Sequence, residues 1–160
     1  MISESDKILF RSVVENSTPV NKEKATFQEP TKKKAFKAYI YITHGSLSGS
    51  DIISYARNGV SLKIIKKMRQ GNISRAPTLD LHGQTTIEAC QSLSEFMHYH
   101  QHQRFIHIIH GKGYNSDQGN SILKSQVASF LRQHPEVLAF NSCPPKDGGT
   151  GAVFALLKQN

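Results

Sequence analysis

Two short motifs in the second half of the chain place a histidine beside glycines, directly after an apolar segment. Residues 79–83 read LDLHG and residues 110–113 read HGKG. An imidazole exchanges protons near neutral pH, so two histidines can divide the roles of general acid and general base. Glycines let backbone N–H groups approach an anion closely, and the lysine adds a positive charge. These residue types suit chemistry at a phosphate group.

The first motif contains a carboxylate and an imidazole with a spacing that brings them together. Asp80 and His82 are separated by one residue, so on an extended segment their side chains point to the same side. The carboxylate can then fix the tautomer of the imidazole. We expect His82 to act as general base or acid and His110 to be the second proton-transfer group. The competing interpretation is that each histidine is a hydrogen-bonded structural residue at a strand end.

A third glycine cluster, GGTG at residues 148–151, precedes another apolar segment. By default such a cluster is a turn, but it can also add N–H donors to the same rim. Histidines recur at positions 98, 100, 102 and 107, yet a spacing of two on a helix turns neighbours about 200° apart, so we predict no metal site there. The expected phosphate-binding groups are the side chain of Lys112 and the backbones of Gly83, Gly111, Gly113, Gly148, Gly149 and Gly151.

The spacing of apolar residues predicts the elements that hold these motifs. Strands are expected at 78–81, 105–109, 137–141 and 152–157, and helices at 85–100 and 121–133. With right-handed crossovers, this β-α-β-α-β-β order gives an α/β fold, an α+β two-layer sandwich in which a small mixed sheet carries two helices on one face. Both histidine motifs then follow the carboxyl ends of strands, where ligands bind in open sheets. The first helix should begin with a capping box and bury one face; these residues are Thr85 and Glu88 for the box and Ile87, Cys90, Leu93 and Met97 for the face.

Charge divides the chain into two parts. The net charge is +8, and residues 1–75 hold 14 Lys/Arg and 6 Asp/Glu, whereas residues 76–160 hold 6 of each. We therefore predict a basic N-terminal extension, 1–76, before a compact domain, 77–160. A basic excess of this kind favours a polyanionic partner, with nucleic acid as the leading candidate. The expected contacts are Lys66, Lys67 and Arg69.

Within the extension, several segments have their own patterns. Residues 5–15 are amphipathic and either pack on the domain or dock to a partner. Residues 20–37 are too polar to order themselves, residues 39–42 resemble a short strand, and residues 61–70 form a basic helix that ends at Gly71.

Cysteine content and hydropathy exclude some classes of protein. The chain has two cysteines without a metal-binding or redox spacing, so we expect reduced, packed thiols. No apolar segment approaches the roughly 18 residues of a membrane span, and the N-terminus lacks the apolar core of a signal peptide. We expect a cytoplasmic protein without membrane contact.

The three motifs in this order resemble the Smr (small MutS-related) domain over about residues 79–158. The upstream sequences RNGV (57–60) and KKMRQG (66–71) and the LF pair (9–10) are similar to short stand-alone Smr proteins of bacteria. Among those proteins, the sequence IIHGKG (108–113) looks closest to the SmrA-like branch. The resemblance implies a fold related to the C-terminal domain of a bacterial translation initiation factor. It also implies a nuclease that nicks DNA or cleaves RNA, and some members act on messenger RNA at stalled ribosomes. It associates Asp80 and His82 with activity and residues 110–113 with the second signature.

Three functions are consistent with these patterns. The leading hypothesis is a nucleic-acid endonuclease with weak sequence preference. An RNA substrate can be cleaved through its 2′-OH without a metal, whereas DNA needs water as nucleophile and favours a divalent cation such as Mg²⁺ or Mn²⁺. The alternative is a noncatalytic module that binds nucleic acid or the ribosome through residues 32–37 and 63–69. The third hypothesis is a protein-interaction adaptor that uses residues 5–15.

Overall fold

The computed structural model describes residues 47–113 and 121–159. The predictions for residues 5–15, 20–37 and 39–42 lie outside the described residues. The described part contains five strands and three α-helices. In chain order these are β1 (Ser54–Ala56), α1 (Leu62–Arg69), β2 (Thr78–Asp80), α2 (Thr86–Tyr99), β3 (Phe105–Ile109), α3 (Ile122–Gln133), β4 (Val137–Ser142) and β5 (Ala152–Leu157).

The strands form one mixed sheet with the order β1-β4-β5-β3-β2. Strands β2 and β3 are parallel, and every other neighbouring pair is antiparallel. The four strands expected from the sequence are present, and the mixed sheet is confirmed. Because β2 and β3 are adjacent and parallel, the segments that follow them lie at the same end of the sheet.

Helix α2 begins as the sequence predicts. The Thr85 hydroxyl accepts a hydrogen bond from the Glu88 N–H, and the Glu88 carboxylate accepts one from the Thr85 N–H, which completes the capping box. The predicted buried face is wrong at Ile87, which is 65% exposed. The buried stripe follows a spacing of four through Ala89, Leu93 and Met97, and a residue two positions before Ala89 lies about 200° away around the helix.

The core has two layers, one on each face of the sheet. Helices α2 and α3 cover one face, as predicted, where Leu93 and Phe130 pack against Ile106 and Ile108. Helix α1 lies on the other face, where Ile65 and Met68 belong to a cluster on β4 and β5. The two-layer arrangement predicted for residues 77–160 is therefore confirmed, and α1 adds a layer on the opposite face of the sheet.

Strand β1 and helix α1 belong to the segment that the sequence assigned to an extension. Ser54, Tyr55 and Ala56 pair with β4, and Tyr55 stacks on Phe140. The compact fold thus starts before residue 77, which corrects the predicted start of the compact part. The sequence signal was weak because β1 has only three residues and α1 buries only Ile65 and Met68.

Both cysteines are free thiols, as predicted. Burial, together with the nearby Asp147 carboxylate, raises the pKa of Cys143 to about 12. Cys90 is partly buried beside Gln126, and its burial likewise raises its pKa. Neither thiol is a thiolate at neutral pH, so both act as packing groups.

None of the helices in residues 47–113 and 121–159 is long and apolar enough to cross a membrane.

Candidate active site

The carboxylate and the imidazole of the first motif form a hydrogen-bonded pair. The His82 Nδ1–H donates to Asp80 Oδ1 at 2.6 Å, and the His82 backbone N–H donates to the same oxygen at 3.0 Å. Asp80 is the last residue of β2, and the Leu81 N–H donates to the Ile109 carbonyl at 2.8 Å, which extends the pairing with β3 by one residue. Leu81 is fully buried. The backbone next to His82 is therefore held in place by the sheet and by the core.

A tight turn directs the chain away after His82. The Gln84 N–H donates to the Leu81 carbonyl at 3.1 Å, and Gly83 has φ +77°. A turn of this kind needs a residue in the left-handed region at its third position, which glycine adopts at low cost. Gly83 is thus required by the turn that keeps His82 within reach of Asp80.

The pair is accessible to a substrate. The side chains of His82 and Asp80 are 75% and 46% exposed. Partial burial acts to raise the pKa of Asp80, but the hydrogen bonds from the backbone and imidazole of His82 outweigh it, so the pKa of this carboxyl lies below its ordinary value. Asp80 is therefore ionised at neutral pH and accepts from Nδ1, which leaves the lone pair on Nε2 of the neutral imidazole. An exposed Nε2 lone pair can take a proton from a substrate.

The second histidine has a different environment. His110 is only 2% exposed, and its Nδ1–H donates to the Gly111 carbonyl at 2.8 Å. Burial lowers the pKa of His110 to about 4; the Lys124 charge acts in the same direction and the Gly111 hydrogen bond opposes it. Within the described part of the chain, no donor reaches the buried Nε2. This imidazole is neutral at pH 7 and is not exposed for the predicted proton transfer with a substrate.

The burial of His110 predicts a specific acid sensitivity. In the unfolded chain the imidazole takes up its proton near pH 6.5, but in the folded protein only near pH 4, so stability falls as the pH drops through this window. One pKa unit corresponds to about 1.36 kcal/mol, so this difference between the pKa of the folded and the unfolded chain corresponds to about 3 kcal/mol in the free energy of unfolding. Between pH 7 and pH 4, the free energy of unfolding should therefore fall by about 2 to 3 kcal/mol less in His110→Asn than in the wild type.

Urea unfolding at a series of pH values measures this difference. The control is His98→Asn, because His98 is exposed on α2 and its replacement should leave the pH dependence of the wild type unchanged. An unchanged pH dependence in His110→Asn would show that the imidazole is protonated without penalty in the folded state.

The three glycine segments meet at one end of the sheet, as the sequence predicts. The His110 and Gly111 N–H groups both donate to the Gly151 carbonyl at 3.0 Å. A Cβ atom at Gly111 would lie 3.9 Å from the Cβ of His82, and one at Gly151 would lie 3.1 Å from Cγ of Lys112. Lys112 is exposed on this rim. The second motif therefore lies directly beside His82.

Most glycine N–H groups that we expected to bind phosphate are used within the protein. Gly111 donates to Gly151, Gly148 to Pro145 at 3.4 Å, Gly149 to Pro144 at 3.0 Å, and Gly151 to Gly148 at 3.1 Å. A phosphate contact at these four positions would have to replace an internal hydrogen bond. The structure therefore corrects the prediction at these four positions, because their N–H groups form hydrogen bonds within the protein that shape the rim. Phosphate binding by the backbones of Gly83 and Gly113 stays a prediction.

A buried lysine that we did not predict supports the same region. Lys124, on α3, is fully buried, and its ammonium donates to the carbonyls of Ser48 at 3.0 Å, Gly49 at 3.1 Å and Asp51. The Gly49 backbone is in close contact with the Lys112 carbonyl. Burial lowers the pKa of Lys124 despite the opposing Asp51 charge. Lys124 thus holds residues 48–51 against the second motif.

A sequence signal for Lys124 did exist. It lies three residues before Val127 and seven before Leu131, which is the spacing of a buried helix face. Buried lysines are rare, so this spacing alone does not single out Lys124 as a core residue.

The basic residues of α1 are not brought together with the histidine pair. Lys66, Lys67 and Arg69 are exposed, and Arg69 Nε donates to the Asn141 side chain at 3.3 Å. Helix α1 packs on β4, which is three strand positions from β2, or about 14 Å at the usual strand spacing. Nucleic-acid binding by Lys66, Lys67 and Arg69 stays a prediction, and it concerns a part of the surface away from the histidine pair.

Among the residues that the structure describes, no group of three or more His, Cys, Asp or Glu side chains is arranged to hold a metal ion.

Comparison with known proteins gives a consistent family relationship. The sequence model of the Smr domain matches residues 79–158. The ribosome rescue factor SmrB of Tolumonas auensis is 30% identical, over 99% of this chain and 96% of its own length. A protein of the same name from Serratia proteamaculans is 37% identical over 65% of this chain and 57% of its own. Both relatives carry the name SmrB, whereas the sequence predicted a likeness to the SmrA-like branch.

A solved structure has the same fold. The crystal structure of YdaL, a stand-alone small MutS-related protein from Escherichia coli, superposes with a TM-score of 0.62. It is 27% identical and covers 75% of this chain and 95% of its own. The Smr sequence model begins at residue 79. The structural match covers 75% of the chain, which is more than the predicted domain of residues 77–160 contains.

Proposed function

The chain belongs to the Smr domain family, and we propose that it is an RNA endonuclease that acts on messenger RNA at stalled ribosomes. Relatives called ribosome rescue factors align with almost the whole chain, which supports the ribosome as partner. Work at ribosomes would also place the protein in the cytoplasm, as its hydropathy predicts.

The observation that carries the proposed cleavage is the short hydrogen bond between Asp80 and His82. A structural histidine is normally enclosed by its partners, but this imidazole is held by a carboxylate on one nitrogen while three quarters of its side chain is exposed. The turn at Gly83 maintains this arrangement at a strand end. An oriented, accessible imidazole is what proton transfer at a substrate requires.

The proposed reaction uses the 2′-OH of the RNA as nucleophile. His82 Nε2 takes the proton of the 2′-OH, and the 2′-oxygen attacks the adjacent phosphorus. The bond from phosphorus to the 5′-oxygen breaks, and this oxygen takes a proton from solvent or from the His82 imidazolium. The products are a 2′,3′-cyclic phosphate and a 5′-OH. Asp80 stabilises the imidazolium that forms during the first step.

Lys112 is the proposed electrostatic partner of the phosphate. It is exposed next to Gly151 on the rim beside His82, and its ammonium can offset the charge that develops on the phosphoryl oxygens. We assign His110 a supporting role, since it is buried and neutral and its N–H and imidazole bonds to Gly151 and Gly111 shape the second motif.

A noncatalytic module that binds the ribosome is the second candidate, and it is favoured by the same relatives. It shares the partner with the first proposal but assigns no chemistry to His82. Cleavage therefore separates the two candidates.

The experiment incubates a single-stranded RNA and a supercoiled plasmid with the full chain, each with and without a chelator. We expect RNA cleavage that resists the chelator and leaves 2′,3′-cyclic phosphate ends, and that is lost in the Asp80→Ala/His82→Ala variant. Metal-dependent nicking of the plasmid alone would contradict the RNA mechanism. The same RNA presented on stalled ribosomes is the third substrate, and cleavage of none of the three would favour the noncatalytic module.

A further inference from the structure

A basic groove lies at the opposite end of β3 from the histidine pair. It has a volume of about 520 Å³, and its lining includes the cationic side chains of Lys63, Lys67, Arg75 and Arg104 together with Phe105. Phe105 is the first residue of β3, whereas the second histidine motif follows the last one. The groove and the pair are therefore separated by the length of this strand.

The charge of the groove has one sign. No Asp or Glu of the described residues lines it. Four cations around one hollow repel one another, and a polyanion that releases its counterions on binding relieves this repulsion. Phosphates of a nucleic-acid backbone match this charge.

The backbone conformation of Arg75 supports a functional role for the groove, independently of its charge. Arg75 has φ +57°, the only positive φ of a non-glycine residue in the described part of the chain. Glycine or asparagine fits this region more easily, and strained residues of this kind concentrate at functional sites. The arginine at this position adds a guanidinium to the groove, which this backbone conformation does not itself require.

The groove and the histidine pair share one face of the sheet. Side chains of alternate residues on β3 point to the same face, and Phe105, His107 and Ile109 form that series. In the parallel register His107 lies beside Thr78 and hydrogen-bonds to it at 3.2 Å, and Ile109 lies beside Asp80. Helix α1 covers this face over β4.

The His107 Nε2–H donates to the Asp147 carbonyl at 3.1 Å, so the chain at Asp147 lies over the middle of β3 on this face. Thr78 and Asp80 of the edge strand β2 are exposed beside it. A strand of nucleic acid can therefore run parallel to β3 along the exposed edge of β2, from the groove to Asp80.

The length of this path sets the spacing of the two sites. From Phe105 to Ile109 the strand rises about 13 Å, at about 3.3 Å per residue. Stacked nucleotides rise about 3.4 Å each along one strand. The path therefore corresponds to about four nucleotides.

We propose that the groove formed by Lys63, Lys67, Arg75 and Arg104 binds the phosphates of the same RNA strand that is cleaved at His82, about four nucleotides from the scissile bond. This inference rests on the proposed function for the identity of the polyanion. The Arg104 guanidinium lies 5.9 Å from the centre of the Phe105 ring, and both planar groups can stack with a base without reading its sequence. Contacts of this kind give affinity with weak sequence preference.

The test compares two exposed arginines with the same charge change. Arg75→Glu changes the groove, and Arg132→Glu changes α3, which packs on the other face of the sheet. Both are made in the full chain that carries His82→Gln, so that binding is measured without turnover. For a labelled 20-nucleotide RNA we expect Arg75→Glu to raise Kd about 10-fold and to reduce the slope of log Kd against log salt by about 1, with little change in Arg132→Glu. Equal effects of the two variants would overturn the proposal.

Two further measurements separate loss of binding from loss of folding or activity. Arg75→Gly suits the backbone, so it should keep the unfolding midpoint at or above that of the parent while still weakening binding of the 20-nucleotide RNA. With His82 restored, Arg75→Glu should lower kcat/KM for the 20-nucleotide RNA but not for a dinucleotide, which is too short to reach the groove. An equal loss for both lengths would contradict a remote site. If the chain binds RNA through the groove but cleaves neither substrate, the proposed function fails and the groove remains.

Discussion

Replacing His82 with glutamine is expected to lower the rate of RNA cleavage by about 10²- to 10⁴-fold, the usual contribution of a positioned acid–base group. Glutamine retains a polar side chain of similar reach but cannot take a proton from the 2′-OH at neutral pH. The side chain is exposed, so the free energy of unfolding should change by less than about 0.5 kcal/mol. Single-turnover cleavage of a labelled RNA measures the rate.

The matched control is His98→Gln, a change of the same type on the exposed surface of α2, which should leave cleavage unchanged. Asp80→Asn is the companion variant. It keeps the shape of the side chain but allows the wrong imidazole tautomer, so it should also lower the rate without unfolding the protein. Normal cleavage by His82→Gln would remove the catalytic assignment and leave the pair with a structural role.

Replacing Lys124 with methionine is expected to lower the free energy of unfolding by about 2 to 3 kcal/mol. Methionine fills the space of the aliphatic stem, but the carbonyls of Ser48, Gly49 and Asp51 lose their charged donor. Losing the donor to a buried or partly buried acceptor costs about 1 to 3 kcal/mol, and hydration of this surface segment limits the sum. Urea unfolding at pH 7 measures the change.

The control for Lys124 is Lys158→Met, because Lys158 is exposed after β5 and its replacement should change stability by less than about 0.5 kcal/mol. Since Gly49 packs on the Lys112 backbone, Lys124→Met should also reduce cleavage under conditions in which the protein is still folded. If stability and cleavage are both unchanged, the three carbonyls are satisfied by water and Lys124 does not position the second motif.

Local rules predicted much of the fold. The strand at Phe105–Ile109 has the predicted bounds, and the capping box at Thr85 forms as expected. The contact between Asp80 and His82 also followed from their spacing, because the chain stays extended to the end of β2 and the turn does not rotate the imidazole away. These features depend on neighbouring residues, which a sequence displays directly.

Features that depend on distant parts of the chain could not be predicted in the same way. His110 is buried, and its pKa responds to Lys124, which lies 14 residues further along the chain. The groove at Arg75 combines residues from α1 with residues at the start of β3. Lys124 is buried because carbonyls more than 70 positions away along the chain accept its hydrogen bonds. Strand β1 has little core signal of its own and is fixed by its pairing with β4.

The proposed function requires that the pair of Asp80 and His82 cleaves messenger RNA at stalled ribosomes. The most direct test is a translation reaction on a messenger RNA that stalls ribosomes at a defined codon, to which either the wild type or His82→Gln is added in the presence of free messenger RNA as competitor. We predict that the wild type cleaves the stalled message faster than the free one and leaves 2′,3′-cyclic phosphate ends, and that His82→Gln leaves the stalled message intact. Equal cleavage by both proteins, or a stalled message that the wild type leaves intact, would contradict this assignment of Asp80 and His82.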